Sequence, residues 1–381
     1  MDFSLSAEQQ ELKKAAVEFA RRELDRDVAA RDDAGEFSMD SWRACAKFGI
    51  QGLPIPAELG GAGADILTTA VVMEALGYGC HDNGLLFSIN AQMWTLELPL
   101  VKYGTPAQQQ KYLPGLMSGD IIGVQGVTEP DAGTDVYAMR TTVEHKGDDY
   151  VLNGTKTFIT NAPIADMLVV FAAHPGKPTM NGLSAFLVEK GTPGFTVSRD
   201  IPKMGMRTSL MGEVVLDDCV VPAENRLGPE GAGMAIFNSS ITSERSCILA
   251  CALGAMQRQL ETSVKYAKMR KQFGQPIGKF QAVSGKMADM YMRLEAARLL
   301  IHQAIWLGQQ GHPAVAESAA AKLFTSEAWV ASSLDAIQIH GAFGYTKEAG
   351  VERDLRDSVA STIYSGTSEI QRVVLARMLG L

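Results

Sequence analysis

The chain has 381 residues, 46% of them hydrophobic, which can fill a large core in two or three packed units and excludes a single small module. Its formal charge of -8 comes without any long Lys/Arg run, which argues against nucleic acid or an anionic membrane as the main partner. The five cysteines are scattered with no C-x-x-C pair, and the six histidines are scattered too, so reduced thiols and no metal centre are expected.

The opening stretch "MDFSLSAEQQELKK" is acidic and polar where a secretory leader would be basic and then apolar. No later run of about eighteen apolar residues would span a bilayer. A cytoplasmic location fits. Ser6 to Gln9 reads as a capping box, with Leu12, Ala16 and Phe19 following at helical spacing. Helical stretches interrupted by Gly and Pro continue to about residue 118, so an all-α unit is expected over 1-120.

From about residue 121 the texture changes to short apolar runs punctuated by turns, as in "DMLVVFAAH" and "LSAFLVEK". Asn153-Gly154 is the strongest local hairpin signal, and the spacing predicts a small antiparallel sheet or barrel over 121-230. After "ENRLGPEGAG" long helices are predicted at Met234 to Met269, Gln281 to Gly308 and Ser318 to Ile339, a helical bundle over 231-381. Cys247 and Cys251, four apart on one helix face, read as small core residues.

Five segments, "GVTEPDAGTD", "LNGTKTFITNA", "RKQFGQPIGKFQAV", "QIHGAFGY" and "YSGTSEIQR", stand in the order and approximate spacing of the acyl-CoA dehydrogenase family. The chain resembles that family over nearly its whole length. The resemblance implies an N-terminal helical domain, a middle antiparallel β-barrel and a C-terminal four-helix bundle, with FAD as cofactor. It places Gln125, Val127, Thr128, Gly133 and Thr134 on the flavin, and Phe158 and Thr160 against its isoalloxazine ring. On its own, the turn-rich run at 127–134 offers N–H groups and hydroxyls to the edge of a flat polar ring. Without the resemblance, Phe158 reads rather as a strand residue packed inward.

The resemblance further implies that Arg270, Phe273, Gln281 and Gln338 serve the FAD diphosphate and adenosine of a neighbouring subunit in a tetramer of two dimers, and that Thr367 and Glu369 also contact the cofactor. Arg suits phosphate because its planar fork donates two parallel hydrogen bonds. Ala342 departs from the pattern, standing where the family has a second Gly.

The segment "TIYSGTSEIQR" raises a difficulty, because the commonest members carry Glu where Ser365 stands. The implied reaction removes a proton beside a thioester carbonyl while a hydride passes to the flavin, and it needs a carboxylate and carbonyl-stabilising donors. Glu244, in "ITSERSCILACALGAMQ", precedes a run of mostly apolar residues, and burial there would raise its pKa toward the range where a base works. Its other reading is a helix Glu paired with Arg245 or a neighbour. A minority of the family, including the isovaleryl type, resembles this chain at both places, with Glu before Arg on this helix and a small residue at the C-terminal site. By that resemblance Glu244 is the base, Ser365 leaves space and gives its backbone N–H to the thioester carbonyl, and Arg245 is a candidate substrate contact.

Three stretches, "NAPIAD", "SERSCILACALGAMQRQLE" and "TIYSGTS", look most like the dehydrogenases that oxidise a prolyl group held as a thioester on a peptidyl carrier protein to pyrrole-2-carboxyl. The implied partners are such a thioester on a carrier protein or on CoA, and an electron acceptor. A short or branched acyl-CoA dehydrogenase of isovaleryl type, an oxygen-reactive relative and a non-catalytic flavoprotein remain as alternatives.

Overall fold

A computed structural model describes residues 4–381; the first three residues of the opening acidic stretch lie outside the described residues. Seven helices build the first third: α1 (Ala7–Phe19), α2 (Val28–Ala34), α3 (Met39–Phe48), α4 (Ile66–Gly79), α5 (Asn83–Gln92), α6 (Leu98–Tyr103) and α7 (Pro106–Ser118). The expected box at α1 is formed: the Ser6 hydroxyl accepts from Gln9 N at 3.1 Å while the Gln9 side chain accepts from Ser6 N. A second, at Thr105 and Gln108, starts α7 with Pro106 at its first position, where the missing N–H costs nothing.

The middle unit contains β1 (Gly123–Gly126), β2 (Thr142–Lys146), β3 (Asp149–Thr160), β4 (Met167–Ala173), a single turn α8 (Thr179–Gly182), β5 (Leu183–Glu189), β6 (Phe195–Asp200), β7 (Met211–Val221) and β8 (Arg226–Leu227). Pairing follows the order β6-β7-β3-β2-β4-β5-β8 and is antiparallel except at β4, which takes β1 and the start of β2 in parallel. Alternation along β4 separates two cores. Val169 and Phe171 pack with Leu113 and Leu116 of α7, and Leu168 and Val170 pack with Phe186 and Val214 inside the sheet.

Asn153-Gly154 does not turn the chain. β3 runs straight through it, and the hairpin turn falls at Lys146–Asp149, where Gly147 takes a φ of 63°. Gly154 instead occupies a bulge opposite β7, where an added Cβ would lie 2.7 Å from Thr141 Cα. Asn153 ties that bulge to Asp218, accepting from its N–H at 2.7 Å. A turn-forming pair therefore serves a strand irregularity because β3 has ladder partners on both sides.

The last third comprises α9 (Gly233–Cys247), α10 (Ala250–Met269), α11 (Gln281–Gln309), α12 (Val315–His340), α13 (Val351–Ser361) and α14 (Ser368–Met378). The single helix expected from Met234 to Met269 is broken at Ile248–Leu249, one turn past Glu244, with neither Pro nor Gly to mark it. One large core joins the first and last thirds, with Trp42, Trp94, Met73 and Leu76 against Ile248, Leu253, Ile301 and Trp329. Cys247 and Cys251 are buried within it as expected. α4 crosses α10 so closely that a Cβ at Gly77 would lie 2.0 Å from the Cys251 carbonyl oxygen, and one at Gly254 would lie 2.0 Å from that of Glu74. Beside this crossing, Glu74 is buried but paired with Lys13 at 3.0 Å and with Arg298 at 3.1 Å.

Candidate active site

Where the three units meet there is a cavity of about 390 Å³. Its β wall is made by the expected residues Gln125, Val127, Thr128, Gly133, Thr134, Phe158 and Thr160. Gln125, on β1, donates to the Thr95 carbonyl at 3.2 Å. The turn that follows is held from behind by Glu129, which accepts from Arg140 N, Thr141 N and the buried Lys156 Nζ at 2.6, 3.0 and 2.8 Å. Phe158 sits at a second bulge in β3 with a φ of 58°, and its side chain is 57% exposed. The inward-packed alternative for Phe158 is thus not the one realised. A large aromatic left open in a concave polar wall, with open space beside Gly133, fits the face and edge of a flavin ring.

The opposite wall is helical. α9 contributes Phe237, Asn238, Ile241, Glu244 and Arg245, and α14 contributes Ile370, Val374 and Arg377. Between them Tyr364, Ser365 and Gly366 complete the lining. Glu244 is 8% exposed, and its Oε1 accepts from the Ser365 hydroxyl at 2.6 Å. Burial pushes the Glu244 carboxyl above its ordinary range, while the Ser365 hydroxyl and the charges of Arg245 and Lys322 oppose that rise. Lodged in the helical wall across the cavity from the β wall, it is a carboxylate suited to taking a proton from whatever lies between.

Ser365 has a φ of 56°, a conformation most side chains avoid. The turn is pinned by Arg245 Nε to the Ser365 carbonyl at 3.1 Å, by Gln371 Nε2 to both the Ser365 and Gly366 carbonyls at 3.1 and 2.8 Å, and by Lys322 Nζ to the Gly366 carbonyl at 2.7 Å. Arg245, expected against substrate, thus braces the turn and lines the cavity at once.

At the inner end, Phe87 packs on Tyr364 with ring centroids 4.6 Å apart. Behind this pair lies only a void of about 10 Å³ bordered by Asn83, Asn90, Cys251 and Trp329. The space for an acyl group is short. Sequence reasoning missed this pair, the Ser365 hydroxyl bond and the bracing by Lys322, which join residues far apart in the chain, and the bracing by Gln371 from the next helix.

The remaining expected residues are placed elsewhere. Thr367 caps α14, accepting from Ile370 N at 3.4 Å, and Glu369 is exposed in the first turn of that helix. Arg270 borders a separate concavity with Gly341, Ala342 and Phe343, while Phe273 is 93% exposed and Gln281 and Gln338 face outward. Within one chain these residues are not brought to the Glu244 cavity.

A helical unit, a β unit and a helical bundle meeting around a buried carboxylate define the architecture of the acyl-CoA dehydrogenases. The chain belongs to the acyl-CoA dehydrogenase family: the models of its N-terminal, middle and C-terminal domains match residues 6–120, 125–219 and 231–380. It is 42% identical over 381 residues to an L-prolyl-[peptidyl-carrier protein] dehydrogenase of Serratia sp., covering 100% of this chain and 99% of that protein. It is also 43% identical to the protein so named from Pseudomonas fluorescens, over 91% of each. Among solved structures, the prolyl acyl carrier protein oxidase AnaB superposes with a TM-score of 0.97 at 48% identity, covering 99% of this chain and 100% of that one.

Proposed function

We propose that this protein is an FAD-dependent dehydrogenase that oxidises a prolyl thioester on a carrier protein toward a pyrrole-2-carboxyl thioester, with Glu244 as the base. The observation that carries the reading is the buried Glu244 facing a short cavity whose other wall suits a flavin. The prolyl carrier enzymes above and the FAD complexes of PigA, 42% identical over 100% of both chains with a TM-score of 0.97, support both the cofactor and the substrate class.

Bound along the β wall, FAD would supply the hydride acceptor. Gln125, Thr128 and Thr134 would hold its edge and Phe158 and Thr160 its ring face. Glu244 takes the proton from the carbon beside the thioester carbonyl; burial raises its basicity and the Ser365 hydroxyl orients it. The Ser365 N–H, fixed by the braced turn, stabilises negative charge as it develops on the carbonyl oxygen. Phe87 and Tyr364 close the inner end against long acyl chains and leave room for a five-membered ring.

Arg270, Phe273, Gln281 and Gln338 are read as serving the FAD of a second copy, and Thr367 and Glu369 as further cofactor contacts. A homotetramer is the expected assembly, an external acceptor takes the electrons, and the cytoplasm is the proposed location. Among the described residues no helix is long and apolar enough to cross a membrane.

Anaerobic mixing of the FAD-loaded protein with L-prolyl-loaded carrier protein should bleach the flavin, and Glu244→Gln should slow this at least about 100-fold. Bleaching by isovaleryl-CoA but not by the prolyl carrier would reassign the substrate. Undiminished bleaching in Glu244→Gln would remove Glu244 from the mechanism.

A further inference from the structure

Lys322, on α12, is wholly buried at 0% exposure. Long basic side chains are seldom taken fully out of water unless paired with a carboxylate, because desolvating an ammonium is costly. Lys322 has no such close partner among the described residues. Its Nζ donates to the Gly366 carbonyl at 2.7 Å and lies 6.0 Å from the centre of the Tyr364 ring. The charged groups around it are Glu244 and Arg245 from α9, Glu327 from α12 and Glu369 from α14, all acting at longer range.

That placement concentrates three donors on two adjacent carbonyls. Arg245 and Gln371 hold the Ser365 carbonyl, and Gln371 and Lys322 hold that of Gly366. The peptide so gripped is the one with Ser365 at a φ of 56° and Gly366 at 88°. A non-glycine residue persists in that region only when its surroundings over-determine it. A Cβ added at Gly366 would also lie 2.8 Å from Gln371 Nε2 and 3.1 Å from an Arg245 nitrogen, so the grip closes around the turn.

We propose that Lys322 is a positioning residue for the thioester reaction: its buried ammonium, bonded to the Gly366 carbonyl, locks the Tyr364–Gly366 turn so that the Ser365 N–H and Glu244 address one substrate together. The role rests on the dehydrogenase reading above. Lys322 touches neither substrate nor cofactor in it. Its charge also favours the ionised form of Glu244.

The test compares FAD-loaded wild type with Lys322→Met and Lys322→Arg by two measurements. The first is amide hydrogen exchange over the peptide Thr362–Arg372, which needs no substrate. Lys322→Met should exchange there at least about tenfold faster than wild type while α4 and β4 stay protected, and Lys322→Arg should recover most of the protection. The second is the flavin bleaching rate with L-prolyl-loaded carrier protein. Lys322→Met should lower the rate at saturation about 10- to 100-fold, the effect expected for losing a charged hydrogen bond, with little change in the concentration for half-saturation. Lys322→Arg should restore most of it. Wild type that fails to bleach would overturn the substrate reading and leave Lys322 to the exchange measurement. Unchanged exchange in Lys322→Met, or an equal loss of protection in Lys322→Arg, would overturn the positioning role. If Lys322→Met does not fold, Lys322→Gln takes its place under the same criteria.

Discussion

Buried acids in this molecule are used in two distinct ways. Glu129 and Glu74 are ionised partners of buried or half-buried cations, whereas Glu97 has only Gln92 Nε2 at 2.7 Å, and burial pushes its carboxyl up to about 8. A group raised in the folded state holds its proton there more tightly than in the unfolded chain. Its contribution to stability is complete below the ordinary carboxylate range and is lost as the pH rises toward about 8. Glu97→Gln should therefore flatten the fall in unfolding temperature between about pH 5 and about pH 8, and a mutant with the wild-type slope would show that another group governs it. The burial of Glu244 was legible from its sequence neighbours, because the ten mostly apolar residues Cys247 to Met256 come shortly after it, whereas its reading as a base came from the family resemblance. Its bond to Ser365 was not legible: the two are 121 positions apart, and nothing local to either predicts that a turn with positive φ will deliver a hydroxyl to this carboxylate.

The helices lining the cavity show a division of labour along their length. On α14, Ile370, Val374 and Arg377 recur at helical spacing along one face, which carries Arg377 about 10 Å along the axis from Ile370. Arg377 is an exposed cation in the lining, and in the proposed reaction its charge would attract the phosphodiester of a carrier-bound phosphopantetheine arm. Arg377→Glu should raise the carrier protein concentration for half-maximal bleaching about 3- to 10-fold, more at low salt, with the rate at saturation unchanged. An equal effect at high salt would argue against a charge contact. Element boundaries were readable where the chain spells its own cap, as at Ser6. They were misread where tertiary pairing overrides local preference: Asn153-Gly154 was drawn into a strand by ladders on both sides, and the α9–α10 break has no breaker residue at all.

At the scale of the whole molecule, the C-terminal helices leave much apolar surface uncovered. Tyr291, Met292, Leu299 and Trp306 of α11 are each at least half exposed, and Phe273 nearly fully so. Large patches of this kind on a folded chain mark a surface that another protein covers. Sedimentation should give four times the 41.0 kDa chain mass, and Leu299→Asp with Trp306→Asp should lower that mass and the FAD content together. A monomer that retains full FAD would show that the cofactor site is complete in one chain. The arrangement of helical, β and helical thirds was readable from texture alone, since it follows from periodicity over long windows. The way those thirds interlock was not, since it depends on contacts such as Gly77 with Cys251.

That crossing of α4 over α10 has a consequence for how such an enzyme can change. Two positions, 77 and 254, admit no side chain, so the helix pair has a single depth and a single register. α10 continues from the helix that bears Glu244, and α5, which bears Phe87, follows α4 after a three-residue link. The distance between Glu244 and Phe87, the proposed proton acceptor and the proposed stop for the acyl group, is thereby held constant like the gap of a fixed gauge. A descendant adapting to a new acyl group would have to do so by exchanging the residues that face the gap, since the jaws themselves cannot slide.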